Sequence, residues 1–202
     1  SDLGIALDKV IVDPSKPETV LTKYPDLATS ELVRAQVARI IANGVDATDL
    51  RKVVDNVRPV KEDNVLDMLG LIDKMIAAGA ANWNKVITDL RIGGNKYKGA
   101  SFVIHYIDAN LGWDNVGFEL GNDPLDTSGR RWDAWVAGTL YQFKSWYTWP
   151  NIADRTFLRQ ILEDYRLTRV GDEMGLKWVF ETSLTREEII RRMKDALSEV
   201  ML

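Results

Sequence analysis

Cysteine is missing from the chain altogether, and histidine occurs once, at position 105. Without thiols there is no disulfide framework, no thiol nucleophile and no cysteine-based zinc or iron–sulfur site. With His105 alone, a two-histidine metal site is impossible. Flanked by Ile104 and Tyr106, His105 reads as a satisfied, buried residue rather than a catalytic one. Long apolar runs are also lacking. None approaches the roughly 18 residues of a membrane span. The opening SDLGIALDKVIVD carries Asp2, Asp8 and Asp13 between apolar pieces too short for a signal peptide. The expectation is a soluble, cytoplasmic protein with no membrane partner and no cofactor.

Excess positive charge is absent as well. The formal net charge is −4, which excludes a globally basic nucleic-acid binder. The charge is unevenly spread. Residues 83–170 hold eleven Lys and Arg against ten Asp and Glu, so the acidity lies in the two ends. The middle is the less repulsive part for a polyanion.

What is present is an ordinary globular balance, 46% hydrophobic and 28% charged over 202 residues. Residues 1–28 read as an extended N-terminal arm, because Pro14, Pro17 and Pro25 each fix φ and disfavour helix in the preceding residue. Residues 29–202 read as one compact, mainly α domain with little or no sheet. A boundary between two helical lobes would fall within the Gly-, Asp- and Asn-rich stretch 112–129. Ser30 caps a helix showing Val33, Val37, Ile40 and Ile41, and Asn43-Gly44 ends it. Asp46 or Thr48 starts the next, with Leu50, Val53, Val54 and Val57 on one face, and Arg58-Pro59 stops it. A third helix opens at Asp63 or Asn64, carries Val65, Met68, Leu69, Ile72 and Ile76, and ends at Gly79. Trp83 to Ile92 makes a short helix, 93–99 a loop, and 100–111 favours helix over strand for want of a partner strand. Thr185 to Glu188 has the spacing of a capping box for a terminal helix.

The richest aromatic stretch is 128–165. Trp132, Val136, Leu140, Phe143 and Tyr147 follow helical spacing until Trp149-Pro150 breaks it, and Asn151 can cap a further helix carrying Phe157, Leu158, Ile161, Leu162 and Tyr165. Most of these rings belong to a core. Their basic neighbours raise a second possibility, since guanidinium groups and rings together hold single-stranded nucleic acid without reading its sequence.

No catalytic signature stands out. GGNKYKGAS has the glycine spacing of a phosphate loop between Gly94 and Gly99, but Ala100 replaces the lysine that reaches the phosphates. Asn122, Asp123, Asp126 and Thr127 cluster oxygens yet miss the alternating calcium-loop pattern. What remains is a basic and aromatic set: Lys96, Tyr97, Lys98, Arg130, Arg131, Lys144, Tyr147, Trp149, Arg155 and Arg159. In a groove, the cations would hold phosphates and the rings would stack on bases.

The runs ANGVDATDLRKVV and NWNKVITDLRIGGNK resemble the N-terminal helical lobe of phlebovirus-type nucleoproteins of segmented negative-strand viruses. The resemblance covers a minor part of the chain, contains no diagnostic motif and is not taken as membership. It implies an N-terminal arm, two helical lobes and an RNA groove between them. The expected function is that of a non-enzymatic, self-assembling coat or nucleocapsid subunit, found in the cytoplasm or a virion. Its arm would bind a neighbouring copy and its groove single-stranded RNA. The alternative is a helical adaptor that binds another protein through exposed aromatics.

Overall fold

The computed structural model describes residues 17–119, 133–145, 159 and 175–201. The chain divides into two compact units, 1–113 and 114–202.

The first unit is helical throughout its described part. Two short helices, α1 (Pro17–Leu21) and α2 (Pro25–Ala28), precede α3 (Glu31–Ala42), α4 (Ala47–Asn56), α5 (Glu62–Ala77), α6 (Trp83–Ile92) and α7 (Gly94–Tyr106), which runs into a π-helical turn, Ile107–Leu111. Over 17–28 the expected extended arm is thus replaced by helix. Pro17 and Pro25 stand where helices begin, and there a missing N–H costs nothing and a fixed φ is already helical. Val20, Leu21 and Leu27 are buried, with α1 against α3 and α4. The part of the arm at 1–16 lies outside the described residues.

Helix starts follow the polar caps. Ser30 Oγ accepts from the Val33 N–H, and Asp46 accepts from the N–H groups of Thr48 and Asp49. The third helix begins slightly earlier than expected, at Glu62. The apolar faces then meet: α3 packs on α5, α4 on α6, and α6 on α7. Val33, Val37, Ile40, Leu50, Val53, Val54, Val65, Ile72, Met75 and Leu90 are fully buried. Each such side chain contributes about 1.5–3 kcal/mol relative to exposure. Residues 93–99, expected as a loop, belong to α7 except for Gly93, the single residue between α6 and α7. Helix α7 buries Ala100, Val103 and Ile104, and Ile107 continues that face, at intervals of three and four residues.

Beyond α7, Asp108 ties the π-helical turn to α5. Lys74 Nζ donates to its two oxygens at 2.9 and 3.0 Å, and the Trp113 indole N–H donates to Oδ1 at 2.9 Å. The Lys74 hydrogen bond, helped by Trp113 and opposed by burial, holds this carboxyl below its ordinary value. A carboxylate depressed in the folded state stabilises above its unfolded pKa, about 3.9, and loses that contribution as pH falls through the lower folded value. Asp108→Asn is therefore expected to lower the unfolding free energy read from urea denaturation at pH 7 by under about 1 kcal/mol for a partly exposed pair. The difference between the two proteins should shrink progressively as pH falls below about 3.9. A difference that stays constant through that fall would rule the linkage out.

The second unit departs from the expected fold. Its described part is a four-stranded sheet and one helix, so the chain is mainly α but not sheet-free. The strands are β1 (Val116–Phe118), β2 (Ala134–Val136), β3 (Thr139–Ser145) and β4 (Leu176–Glu181), in that spatial order. The first two pairings are antiparallel. The last is parallel, Leu140 opposite Leu176 through Ser145 opposite Glu181. Val136, Leu140 and Phe143, assigned above to a helix, are strand residues. Ala137 and Gly138 both take positive φ, 47° and 87°, and close a two-residue hairpin between Val136 and Thr139. Alternation then sends Val116, Phe118, Ala134, Val136, Tyr141 and Phe143 to one face, all buried. LKWVF makes up most of β4.

The terminal helix α8 (Arg186–Met201) starts at the expected capping box. The Thr185 N–H donates to Glu188 Oε2 at 3.0 Å, and the Glu188 N–H donates to Thr185 Oγ1 at 3.2 Å. Of the expected helix from Asn151 to Tyr165 only Arg159, in helical conformation, is among the described residues, and the loop oxygens at 122–127 lie outside them.

Candidate functional site

Three elements of the first unit converge on a cleft of about 550 Å3, within the range of small-molecule sites. Helix α7 offers Gly94, Tyr97, Lys98, Ser101 and His105, with Tyr97, Ser101 and His105 at four-residue spacing along one face. Helix α5 offers Asn64, Asp67 and Met68. The end of α4 and the residues after it offer Asn56, Val57 and Arg58.

Each side chain is held by a specific neighbour. The Asn56 amide donates to the carbonyls of Leu90 and Arg91 at 2.8 and 3.1 Å, which fixes the end of α6 against α4. Asn64 donates to the Pro59 carbonyl at 2.9 Å, next to the cis Arg58–Pro59 peptide. Arg58 Nη1 donates to the carbonyls of Asp55 and Val57. This anchors the guanidinium and leaves Nε and Nη2 without a hydrogen-bond partner among the described residues. Tyr97 is half-buried. Burial first, and the Asp67 charge second, push its phenol above the ordinary value, while Arg58 pulls the other way. The ring therefore stays neutral at physiological pH and adds no negative charge to the cleft.

His105 is not the buried residue expected from its neighbours. Its side chain is 44% exposed, and Nε2 lies 2.7 Å from Asp67 Oδ2. Nδ1 lies 2.7 Å from the Ser101 carbonyl and 3.2 Å from Ser101 Oγ. The Asp67 carboxylate and the Ser101 carbonyl accept, and the Ser101 hydroxyl can donate or accept, so the ring is held between Ser101 and Asp67 by hydrogen bonds whose direction at Nδ1 follows the tautomer.

The sequence-derived candidates are dispersed. Tyr97 and Lys98 line the cleft. Lys96 points elsewhere and reaches Asp89 at 4.0 Å, whereas Lys98 has no ion-pair partner among the described residues. Lys144 belongs to the second unit. It sits on the sheet face opposite Tyr141 and Phe143, 5.7 Å from the centroid of the Trp178 ring, in cation–π contact. Arg159, also in the second unit, is exposed. Arg130, Arg131, Tyr147, Trp149 and Arg155 lie outside the described residues. Among the described residues no three His, Asp or Glu side chains gather as they would around a metal ion. None of the described helices is long and apolar enough to cross a membrane.

No family model, curated protein or solved structure matches the chain.

Sequence reasoning missed Arg58, Asn56, Asn64 and Asp67 as site residues. Asp67 is one acidic residue among many, and only folding sets it beside His105. Arg58 did carry a signal. An arginine before a proline at a helix end projects from a chain reversal, where basic side chains are free to meet a ligand.

Proposed function

We propose that the protein is a non-enzymatic assembly subunit of the coat or nucleocapsid kind, which self-associates and binds single-stranded RNA. One observation carries the reading: the cleft of the first unit brings a neutral ring, Tyr97, together with Arg58, Lys98 and the His105 imidazole. Guanidinium and ammonium groups suit phosphates, and a ring of that size offers a stacking face to any base. Asp67 offsets one of the two charges of Arg58 and Lys98, so these lining residues keep a net positive charge in a chain that is acidic as a whole. Self-association is assigned to the N-terminal residues 1–16, whose apolar pieces Ile5 to Leu7 and Val10 to Val12 suit a neighbouring copy.

Binding is expected to be salt-sensitive. Lys98→Ala should weaken binding of a single-stranded RNA, read by fluorescence anisotropy. It should also reduce the slope of log affinity against log salt by about 0.7, the loss of one phosphate contact. Light scattering with and without nuclease tests assembly. A monomeric protein with no salt-sensitive RNA binding overturns the proposal, and capture of a protein partner that survives nuclease treatment favours the adaptor alternative.

A further inference from the structure

Asp67 is an anomaly in a cleft meant for phosphate. A carboxylate repels phosphodiesters, yet this one is set in place by a relay. The Ser101 carbonyl orients the His105 ring through Nδ1, and Nε2 then holds Asp67 Oδ2 at 2.7 Å. The other oxygen, Oδ1, accepts no hydrogen bond from the described residues, and the side chain is 62% exposed. A held carboxylate with one open oxygen is an acceptor waiting for a donor. A nucleic-acid strand offers two kinds of donor, base N–H groups and sugar hydroxyls. Reading guanine through two adjacent N–H groups takes both oxygens of a carboxylate, and here His105 occupies one. A single open oxygen suits a single hydroxyl.

We propose that the cleft is a ribonucleotide subsite in which Asp67, positioned by His105, accepts a hydrogen bond from the 2′-hydroxyl and so selects RNA over DNA. The phosphate lies toward Arg58 and Lys98, and Tyr97 supplies the flat apolar contact for the base. The cavity, about 550 Å3, has room for one such unit. In this arrangement the carboxylate does not work against binding. It penalises any strand whose sugar cannot compensate its charge with a donor, which is discrimination by an unpaired polar group. The inference rests on the RNA-binding reading above.

The test compares oligo(U) with oligo(dU), which differ only at the 2′ position, and adds 2′-fluoro oligo(U), which keeps a ribose-like pucker but cannot donate. The wild-type chain is expected to bind oligo(U) about tenfold tighter than either of the others, the equivalent of one good hydrogen bond. In Asp67→Ala the ratio should fall to about one, with oligo(dU) binding unchanged or tighter because a negative charge is gone. Lys98→Ala should weaken all three alike and leave the ratio standing. Equal binding of oligo(U) and 2′-fluoro oligo(U) by the wild type overturns the inference without any variant, as does a ratio that survives in Asp67→Ala. A preference that follows the base, oligo(C) over oligo(U) and equally oligo(dC) over oligo(dU), overturns it too and assigns Asp67 to a base N–H. Absence of salt-sensitive binding to any oligonucleotide instead fails the RNA-binding reading itself.

Discussion

Gly93→Ala is expected to destabilise the first unit by about 3 kcal/mol, the sum of two separate effects. Gly93 joins α6 to α7 with φ 86° and ψ −170°, a conformation essentially reserved for glycine. Forcing a side chain into it costs about 1–3 kcal/mol. An added Cβ would also lie 2.9 Å from Asn56 Oδ1, 3.1 Å from Nδ2 and 3.2 Å from Cγ. The amide has no easy retreat, because Nδ2 already donates to Leu90 and Arg91. Displacing it leaves carbonyls unsatisfied at the end of α6, at a further cost of about 1 kcal/mol. Gly79→Ala is the control. It too has positive φ, 67°, but nothing stands within 4 Å of the added carbon. Urea unfolding followed by circular dichroism should show the larger loss for Gly93→Ala. Repeating that substitution in an Asn56→Ala background should cost less than in the wild type, the signature of a direct clash. Equal losses for the two glycines would remove Asn56 from the explanation.

The same joint explains why part of the first unit was legible in advance and part was not. Caps and faces there are local. Ser30, Asp46, Asn43-Gly44 and the valine and isoleucine spacing each act within a few residues, and each helix from α3 to α6 appears where they point. GGNKYKG looked like a loop because its three glycines are individually poor helix signals. What makes it helical is the apolar row that follows, Ala100, Val103 and Ile104, which needs a first turn to enter on. In the second unit the cause is nonlocal. Trp132, Val136, Leu140, Phe143 and Tyr147 satisfy a helical period, but Ala134, Val136, Tyr141 and Phe143 satisfy alternation across a reversal equally well. Only Ala137-Gly138 marks that reversal, and alanine at positive φ is a weak turn signal beside asparagine or aspartate. The partner that settles β3 is β4, reached across the connection 146–175, and no window of sequence shows such a pairing.

The cleft was half visible for a related reason. Tyr97 and Lys98 declared themselves by composition, a ring between two lysines. Asp67 and His105 are 38 residues apart, and their pairing depends on how α5 and α7 lie together. A lone histidine between Ile104 and Tyr106 suggests burial, yet on a helix its sequence neighbours point to other faces. The residues that share its face are Ser101 and Tyr97, one and two turns back. Helical spacing around His105, rather than its immediate neighbours, was the informative signal.

Helix α5 supplies both the floor of that cleft and the centre of the core, and Ile72→Ala should show how much of the unit hangs on it. Ile72 is fully buried, between Leu69 and Met75 on the same face, and α3 packs over it. Removing its outer carbons loses transfer free energy and leaves a cavity that a helix fixed at both ends cannot close. The expected cost is about 2–5 kcal/mol, against about 0.5–1.5 kcal/mol for Ile72→Val. Ile92, on α6 and 58% exposed, provides the contrast: Ile92→Ala should stay within about 0.5 kcal/mol of the wild type. Ile72 does not line the cleft, so on the proposed RNA-binding reading Ile72→Ala should match the wild type in affinity at temperatures where it remains folded. Loss of affinity together with full retention of stability would be the opposite of this expectation. It would mean that α5 serves the cleft through its rigidity rather than through the core it shares with α3.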